Sequence, residues 1–187
     1  MTSIEDRKFR SHVGVSISSL FRATRQNIQE NRVVSGGSTI TMQLARQLFL
    51  AEGSHSFSYK LKQIFWALKL ESRFTKDQIF DLYAKRVYLG SGAHGFDGAA
   101  RRYFSKEVGA LTIGERAVLV GILPRPDAWN PLADLEMASA RRNLVLSQWV
   151  DQKLITEAER VFLERARSGT PSDRSHGNSR AALCSLG

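Results

Sequence analysis

Apolar residues recur along this chain at helical rather than strand spacing. Over Ser58 to Ser72, SYKLKQIFWALKLES, the residues Leu61, Ile64, Phe65 and Leu68 fall at i, i+3, i+4 and i+7 and predict one buried face of an amphipathic helix. Three capping boxes open further helices, each a Thr with Gln or Glu three residues on: Thr75 with Gln78, Thr112 with Glu115, and Thr156 with Glu159. Behind them come Ile79, Phe80, Leu82 and Tyr83, then Ala117, Val118, Val120 and Leu123, then Val161, Phe162 and Ala166. Pro124 and Pro126 end the helix that starts at Thr112, and the stretch to Pro131 reads as an ordered loop. Glu136 to Val150 is another helical stretch, with Ala140, Leu144 and Trp149 among its apolar positions, and Val15 to Ile28 a further one carrying Arg22 and Arg25. A basic helix of that last kind suits a core face or a membrane interface. No convincing period-2 run and no internal repeat is present, so the chain reads as mainly α. From Ser168 the composition turns polar and Gly/Ser-rich, which divides the chain into a folded domain over 1–167 and a flexible tail over 168–187.

Composition narrows the picture. A length of 187 residues suits one domain. Lys and Arg number 27 against 18 Asp and Glu, a net charge of +9. That excess points to a partner of opposite sign: nucleic acid, an anionic membrane surface or a phosphate-bearing substrate. Phe65, Trp66, Phe74 and Phe80 fall at helix-core spacing rather than forming a stacking platform between basic residues, which argues against nucleic acid. The single cysteine, Cys184, excludes an internal disulfide framework and a multi-Cys zinc site. No uninterrupted apolar run approaches the roughly 18 residues of a membrane span, and the charges of Glu5, Asp6, Arg7 and Lys8 leave no signal peptide to read.

Three segments carry chemistry. In the first, Ile4 to Gly14, the adjacent carboxylates Glu5 and Asp6 point in different directions, so one can pair structurally while the other faces a cleft as a general base. The second, Ser35 to Gln47, is a Gly-Ser-Thr loop entering a helix, whose amides and dipole favour a phosphate; Gln43 and Arg46 are neighbours on that helix. It lacks the Gly-Lys-Ser/Thr pattern of a nucleotide P-loop. The third combines Lys60, Lys62 and Gln63 with Arg141 and Arg142; Lys60 and Gln63 share a helix face and can address one anion together. Each has a plainer explanation, respectively a solvated acidic pair, a capped helix and surface charge.

Taken in order, these segments resemble the peptidoglycan glycosyltransferase domain of class A penicillin-binding proteins and monofunctional transglycosylases, over about Ile4 to Ile155. That family opens with Glu-Asp-x-x-Phe-x-x-His-x-Gly, matched by Glu5, Asp6, Phe9, His12 and Gly14. Its Gly-Gly-Ser-Thr-Ile-Thr-Gln-Gln-Leu-Ala-Lys-Asn is matched from Gly36, with Met42, Arg46 and Gln47 departing. Lys76, Asp77, Ile79 and Tyr83 fit its Lys-Asp-x-Ile-x-x-x-Tyr; Gly95, Ala99, Ala100, Tyr103, Phe104 and Lys106 fit the next block; Arg141 to Leu146 fit the closing Arg-Arg-x-x-Val-Leu. Blocks in the right order are far more specific than any one of them.

The resemblance implies a mainly α, lysozyme-like fold with a smaller membrane-facing lobe. It implies processive polymerisation of lipid II with inversion at the anomeric carbon, on the outer, periplasmic face of the cytoplasmic membrane. Its partners are then lipid II, the growing glycan strand and the membrane surface, not nucleic acid. Glu5 takes the place of the general base, and Ser38, Thr39, Gln43, Arg46 and Lys60 those of cleft-lining residues, the cations among them facing the diphosphate. A divalent cation is the one cofactor left open. Two departures matter. Gln63 stands where the family's Arg-Lys-x-x-Glu has its second carboxylate, keeping hydrogen bonding but not charge; Lys85 stands where the family has Asn. A weakened or inactive enzyme that only binds lipid II or anionic membrane, and a branch in which Glu5 and the cations suffice, both remain open, as does a lysozyme-like hydrolase. The family carries a transmembrane helix before its first block, so the expectation here is an excised domain, a truncated product or a fragment.

Overall fold

The computed structural model describes residues 5–16, 37–50 and 57–165, with Phe57 described by its backbone alone. Most of the helix expected over Val15 to Ile28, the loop residues Ser35 and Gly36, and the tail with Cys184 lie outside the described residues. The chain divides into two compact units, one ending at Val87 and the other beginning at Tyr88. Among the described residues the regular structure is helical, with a single isolated bridge between Tyr88 and His94.

In the first unit, α1 (Ile40–Phe49) packs against α2 (Phe57–Glu71) and α3 (Lys76–Arg86). The α1 helix starts at Thr39, whose hydroxyl accepts from the Met42 amide, and it buries Ile40, Met42, Leu44 and Ala45. The expected capping box opens α3, with Thr75 and Gln78 each satisfying the other's amide. Ahead of α1, Phe9 is buried and its ring meets Phe80 of α3 at 6.3 Å. Gly14 has φ +90, and a Cβ there would lie 2.8 Å from the Glu71 Cγ and 3.1 Å from the Ala67 carbonyl oxygen, so only glycine lets this segment lie on α2.

Helix α2 corrects the periodicity reading. The face of Leu61, Phe65 and Leu68 is exposed, Phe65 to 58%, and the buried residues are Gln63, Ala67 and Leu70, on the opposite face. A 3.6-residue stripe locates an apolar face but cannot say which face the neighbouring helix covers. Here α1 takes the face with the small Ala67. The aromatic residues follow suit: Phe65 and Phe74 are exposed rather than core, Phe49 stacks on Trp66 at 4.2 Å, and Lys69 lies 5.1 Å over the Trp66 ring. Phe49, Trp66, Lys69, Leu70, Arg73 and Phe74 line a shallow groove on this surface.

The second unit contains α4 (Gly95–Phe104), a 3-10 turn (Val108–Ala110), α5 (Ile113–Gly121), α6 (Pro126–Trp129), α7 (Leu135–Asp151) and α8 (Glu157–Arg165). Its core is the packing of α5 on α7, with Ala117, Val118, Leu119, Val120, Val145 and Leu146 buried. Both capping boxes expected here form, at Thr112 with Glu115 and at Thr156 with Glu159. The loop to Pro131 holds one unexpected turn of helix, α6, started by Pro126. Buried Asn130 fixes it by donating to the Pro126 and Asp127 carbonyls and accepting from the Leu132 and Ala133 amides. Gly90 has φ +87, and a Cβ there would come within 2.1 Å of the Pro126 carbonyl oxygen. In α7, Ala140 and Leu144 are exposed, and Ala138, Arg142, Val145 and Leu146 are buried instead. Phe162 of α8 is exposed as well.

Candidate active site

The two adjacent carboxylates take up different work. Asp6 is buried, and its Oδ2 accepts from the Ile40 amide at 3.1 Å and lies 2.8 Å from His12 Nε2. The Gly14 N–H donates to His12 Nδ1 at 3.0 Å, so Nε2 carries the hydrogen that reaches Asp6. The first amide of α1 is thereby satisfied by a carboxylate of the protein itself, in the electropositive field of the helix start. Thr39 is buried too, donating to the Gly14 carbonyl at 2.6 Å while accepting from Met42. The Ile40 amide and the Thr39 hydroxyl are consumed by packing, and they hold up the site from beneath.

Glu5, one residue earlier, is only half-buried. Its Oε2 accepts from Gln43 Nε2 at 3.3 Å, and Gln43 Oε1 accepts from the Tyr83 hydroxyl at 3.0 Å. The order of donors follows from chemistry: the phenol must donate to the amide oxygen, which turns the amide NH2 toward Glu5. Burial, and then the charge of Glu5, push the Tyr83 phenol far above its ordinary value, so it stays a donor. The chain Tyr83–Gln43–Glu5 orients the carboxylate. Tyr83 belongs to a motif block matched in the sequence, but its part in the site was missed. The available signal was a tyrosine on a buried helix face, whose hydroxyl must find a partner.

A second cluster gathers on the same unit. The half-buried Lys60 donates from Nζ to Ser38 Oγ at 2.6 Å and to the Gln63 Oε1 at 3.3 Å. Burial, and then the charge of Arg46, hold the Lys60 ammonium below the ordinary lysine value. Arg46 is exposed, as is Lys62. The expected pairing of Lys60 with Gln63 on one face is therefore present. Arg141 and Arg142, expected with them, are occupied in the second unit: Arg141 lies 4.3 Å over the Trp129 ring, and buried Arg142 donates to the Glu164 carbonyl and to Asn143. Lys85 pairs with Asp81 at 2.7 Å on the surface of α3. Nothing in the sequence signalled the part-buried group of Thr41, Glu71 and Lys76, in which both Thr41 Oγ1 and Lys76 Nζ donate to Glu71 Oε1.

The donor set does not suit a divalent cation at position 63. The one oxygen that Gln63 offers is neutral and faces an ammonium, and among the described residues no group of three or more His, Cys, Asp or Glu is placed to hold a metal ion.

A family model described as "Transglycosylase" matches residues 1–150, and the chain belongs to that family. The motif resemblance is borne out. The chain is 41% identical over 155 residues to penicillin-binding protein 1A of Escherichia coli (strain K12), covering 83% of this chain and 18% of that one. It is also 41% identical over 152 residues to penicillin-binding protein 1A of Aquifex aeolicus (strain VF5), covering 81% and 21%. The chain thus spans about a fifth of the length of these relatives.

Proposed function

We propose that this chain is a peptidoglycan glycosyltransferase domain that polymerises lipid II. In this reading Glu5 removes the proton of the acceptor's 4-hydroxyl as that oxygen attacks the anomeric carbon of the donor from the opposite side. The bond to the diphosphate breaks, configuration inverts, and undecaprenyl diphosphate leaves toward Lys60, Arg46 and Ser38. The observation that carries this is one compact unit holding both a half-buried carboxylate aligned by Gln43 and Tyr83 and a half-buried ammonium bonded only to neutral acceptors. The first suits a base and the second a departing anion. The exposed apolar face of Leu61, Phe65 and Leu68, with Phe49 and Phe74 exposed and Lys69 and Arg73 in the adjoining groove, supports seating against an anionic membrane surface. Among the described residues no helix is long and apolar enough to cross a membrane. Work on the periplasmic side of the cytoplasmic membrane follows from the same reading, with the growing glycan strand as the second partner.

Labelled lipid II tests it. The chain is expected to form glycan polymer, and Glu5→Gln to lose about 10²–10⁴ in rate, the usual cost of removing a general base. Polymer formed by Glu5→Gln at the parent rate would remove Glu5 from that role. The neutral amide of Gln63 favours a second reading, a module that binds lipid II without turning it over; it predicts retained binding with no polymer from either protein.

A further inference from the structure

The turn that carries Arg125 in the second unit is braced more heavily than its length calls for. Arg125 stands between Pro124 and Pro126, which restrict the backbone on either side of it. Its amide donates to the Ile122 carbonyl at 3.1 Å, and its carbonyl accepts from the Ala128 and Trp129 amides at 3.2 and 2.9 Å. Buried Asn130 closes the turn, and the Ser91 hydroxyl adds a further bond to Asn130 Oδ1 at 3.2 Å. On this frame the Arg125 guanidinium lies over Trp129, its Cζ 5.7 Å from the ring centroid. Arg141 of α7 lies 4.3 Å from the same centroid.

The backbone here is fully engaged, but the charge is not. Arg125 is exposed, and among the described residues its side chain makes no hydrogen bond or ion pair. Asp127, two residues on, accepts from the Tyr88 hydroxyl and pairs with no cation among the described residues. Two guanidiniums at one indole repel each other, and attraction to the ring offsets part of that cost. Stacking uses the face of a guanidinium and leaves its N–H edge for a planar acceptor with two oxygens. A carboxylate fits that edge, and the half-buried Trp129 ring offers apolar ground to the residue that bears it. The rigid turn lowers the ordering cost of binding.

We propose that Arg125, Trp129 and Arg141 form a carboxylate site for a peptide, the one carried by peptidoglycan precursors and the glycan strand. The identity of that peptide rests on the glycosyltransferase reading. The site rests on the braced turn and the two guanidiniums, and it shares no residue with the carboxylate and ammonium clusters of the first unit.

The full chain, labelled with ¹⁵N in its tryptophans, is titrated with the synthetic pentapeptide alanyl-γ-glutamyl-lysyl-alanyl-alanine. The indole N–H resonance of Trp129, assigned by its loss in Trp129→Phe, is expected to move while those of Trp66 and Trp149 stay. Amidating the peptide's carboxylates is expected to weaken binding about tenfold or more, the loss of a charge-assisted contact. Arg125→Gln, a change at an exposed side chain, is expected to do the same. Arg125→Lys keeps the charge without the planar fork and is expected to recover only part of the affinity. The proposal is overturned by a Trp129 signal that does not respond, by shifts centred on Trp66, or by amidated peptide binding as well as the free acid. It is also overturned if Arg125→Gln or Arg125→Lys keeps the parent affinity. Inorganic phosphate that displaces the peptide at equal concentration would reveal an undiscriminating positive patch and overturn it too. Lipid II assays separate the site from the functional reading: polymer without peptide binding sinks the site alone, and peptide binding without polymer sinks the enzyme reading alone.

Discussion

The two units bury polar groups for different ends. In the second, Asn130 and Arg142 are buried among a conventional apolar core, and most of their bonds go to backbone carbonyls and amides. They fix a loop and tie α7 to the chain at Glu164. In the first, Thr39 and Asp6 also bond to backbone, but buried Gln63 and Thr41 bond to the partly exposed side chains of Lys60 and Glu71, and half-buried Glu5 is held by the Gln43 side chain. A buried polar group that only closes backbone bonds makes structure. One that ends on a partly exposed charge can prepare a charge for work, because low local polarity strengthens each link. The contrast teaches where to look for chemistry: at the ends of side-chain networks.

Substitutions can break this contrast, and the largest effect is expected where no chemistry lies. Leu146→Ala empties a fully buried position in the second unit and should cost about 2–5 kcal/mol in urea unfolding. Its pyrophosphate affinity, measured where the variant remains folded, should match the parent. A variant that kept its stability but lost affinity would erase the division between the units. Next comes Asp6→Ala, which leaves the Ile40 amide and His12 without their acceptor. It should cost about 1.5–3 kcal/mol, the range for hydrogen bonds to a charged group, and should lower polymerisation as well, since Glu5 is its chain neighbour. Asp6→Asn keeps one acceptor oxygen and should recover part of both losses; recovery of stability with none of the activity would detach Asp6 from the site.

Lys60 offers a sharper test through pH. Its folded value lies below the ordinary one, so between the two the unfolded chain binds the extra proton and stability rises with pH. Diphosphate affinity needs the charged form and should fall as pH climbs through that lowered value. The two observables move in opposite directions, and Lys60→Met should flatten both. A parallel rise or fall would mean some other group is titrating. The smallest effect belongs to Thr112→Ala, which removes a capping hydroxyl from α5 and should cost about 1 kcal/mol in thermal unfolding with pyrophosphate affinity unchanged.

Some of this was legible in the residues alone. All three Thr capping boxes form where their spacing put them, because a cap is settled within four residues of backbone. The division of Glu5 and Asp6 into a half-buried carboxylate and a buried, structurally paired one was also readable, since neighbouring side chains diverge. The motif order led to the family. The face that α2 buries was not legible: its apolar stripe names Leu61, Phe65 and Leu68, yet the packed residues are Gln63, Ala67 and Leu70. On α7 the buried positions include the charged Arg142, while the apolar Leu144 is exposed.

Local geometry therefore belongs to the sequence: where helices begin, which hydroxyl caps them, and where glycine is required for a turn. Partnership belongs to the folded chain. Asp6 meets the Ile40 amide, Gln43 meets Glu5, Tyr83 meets Gln43 and Thr41 meets Glu71 across separations of 34, 38, 40 and 30 residues. No periodicity spans such distances. Packing α1 against α2 and α3 brings these groups within bonding reach, and that step turns a string of motif residues into an aligned carboxylate and an unneutralised ammonium.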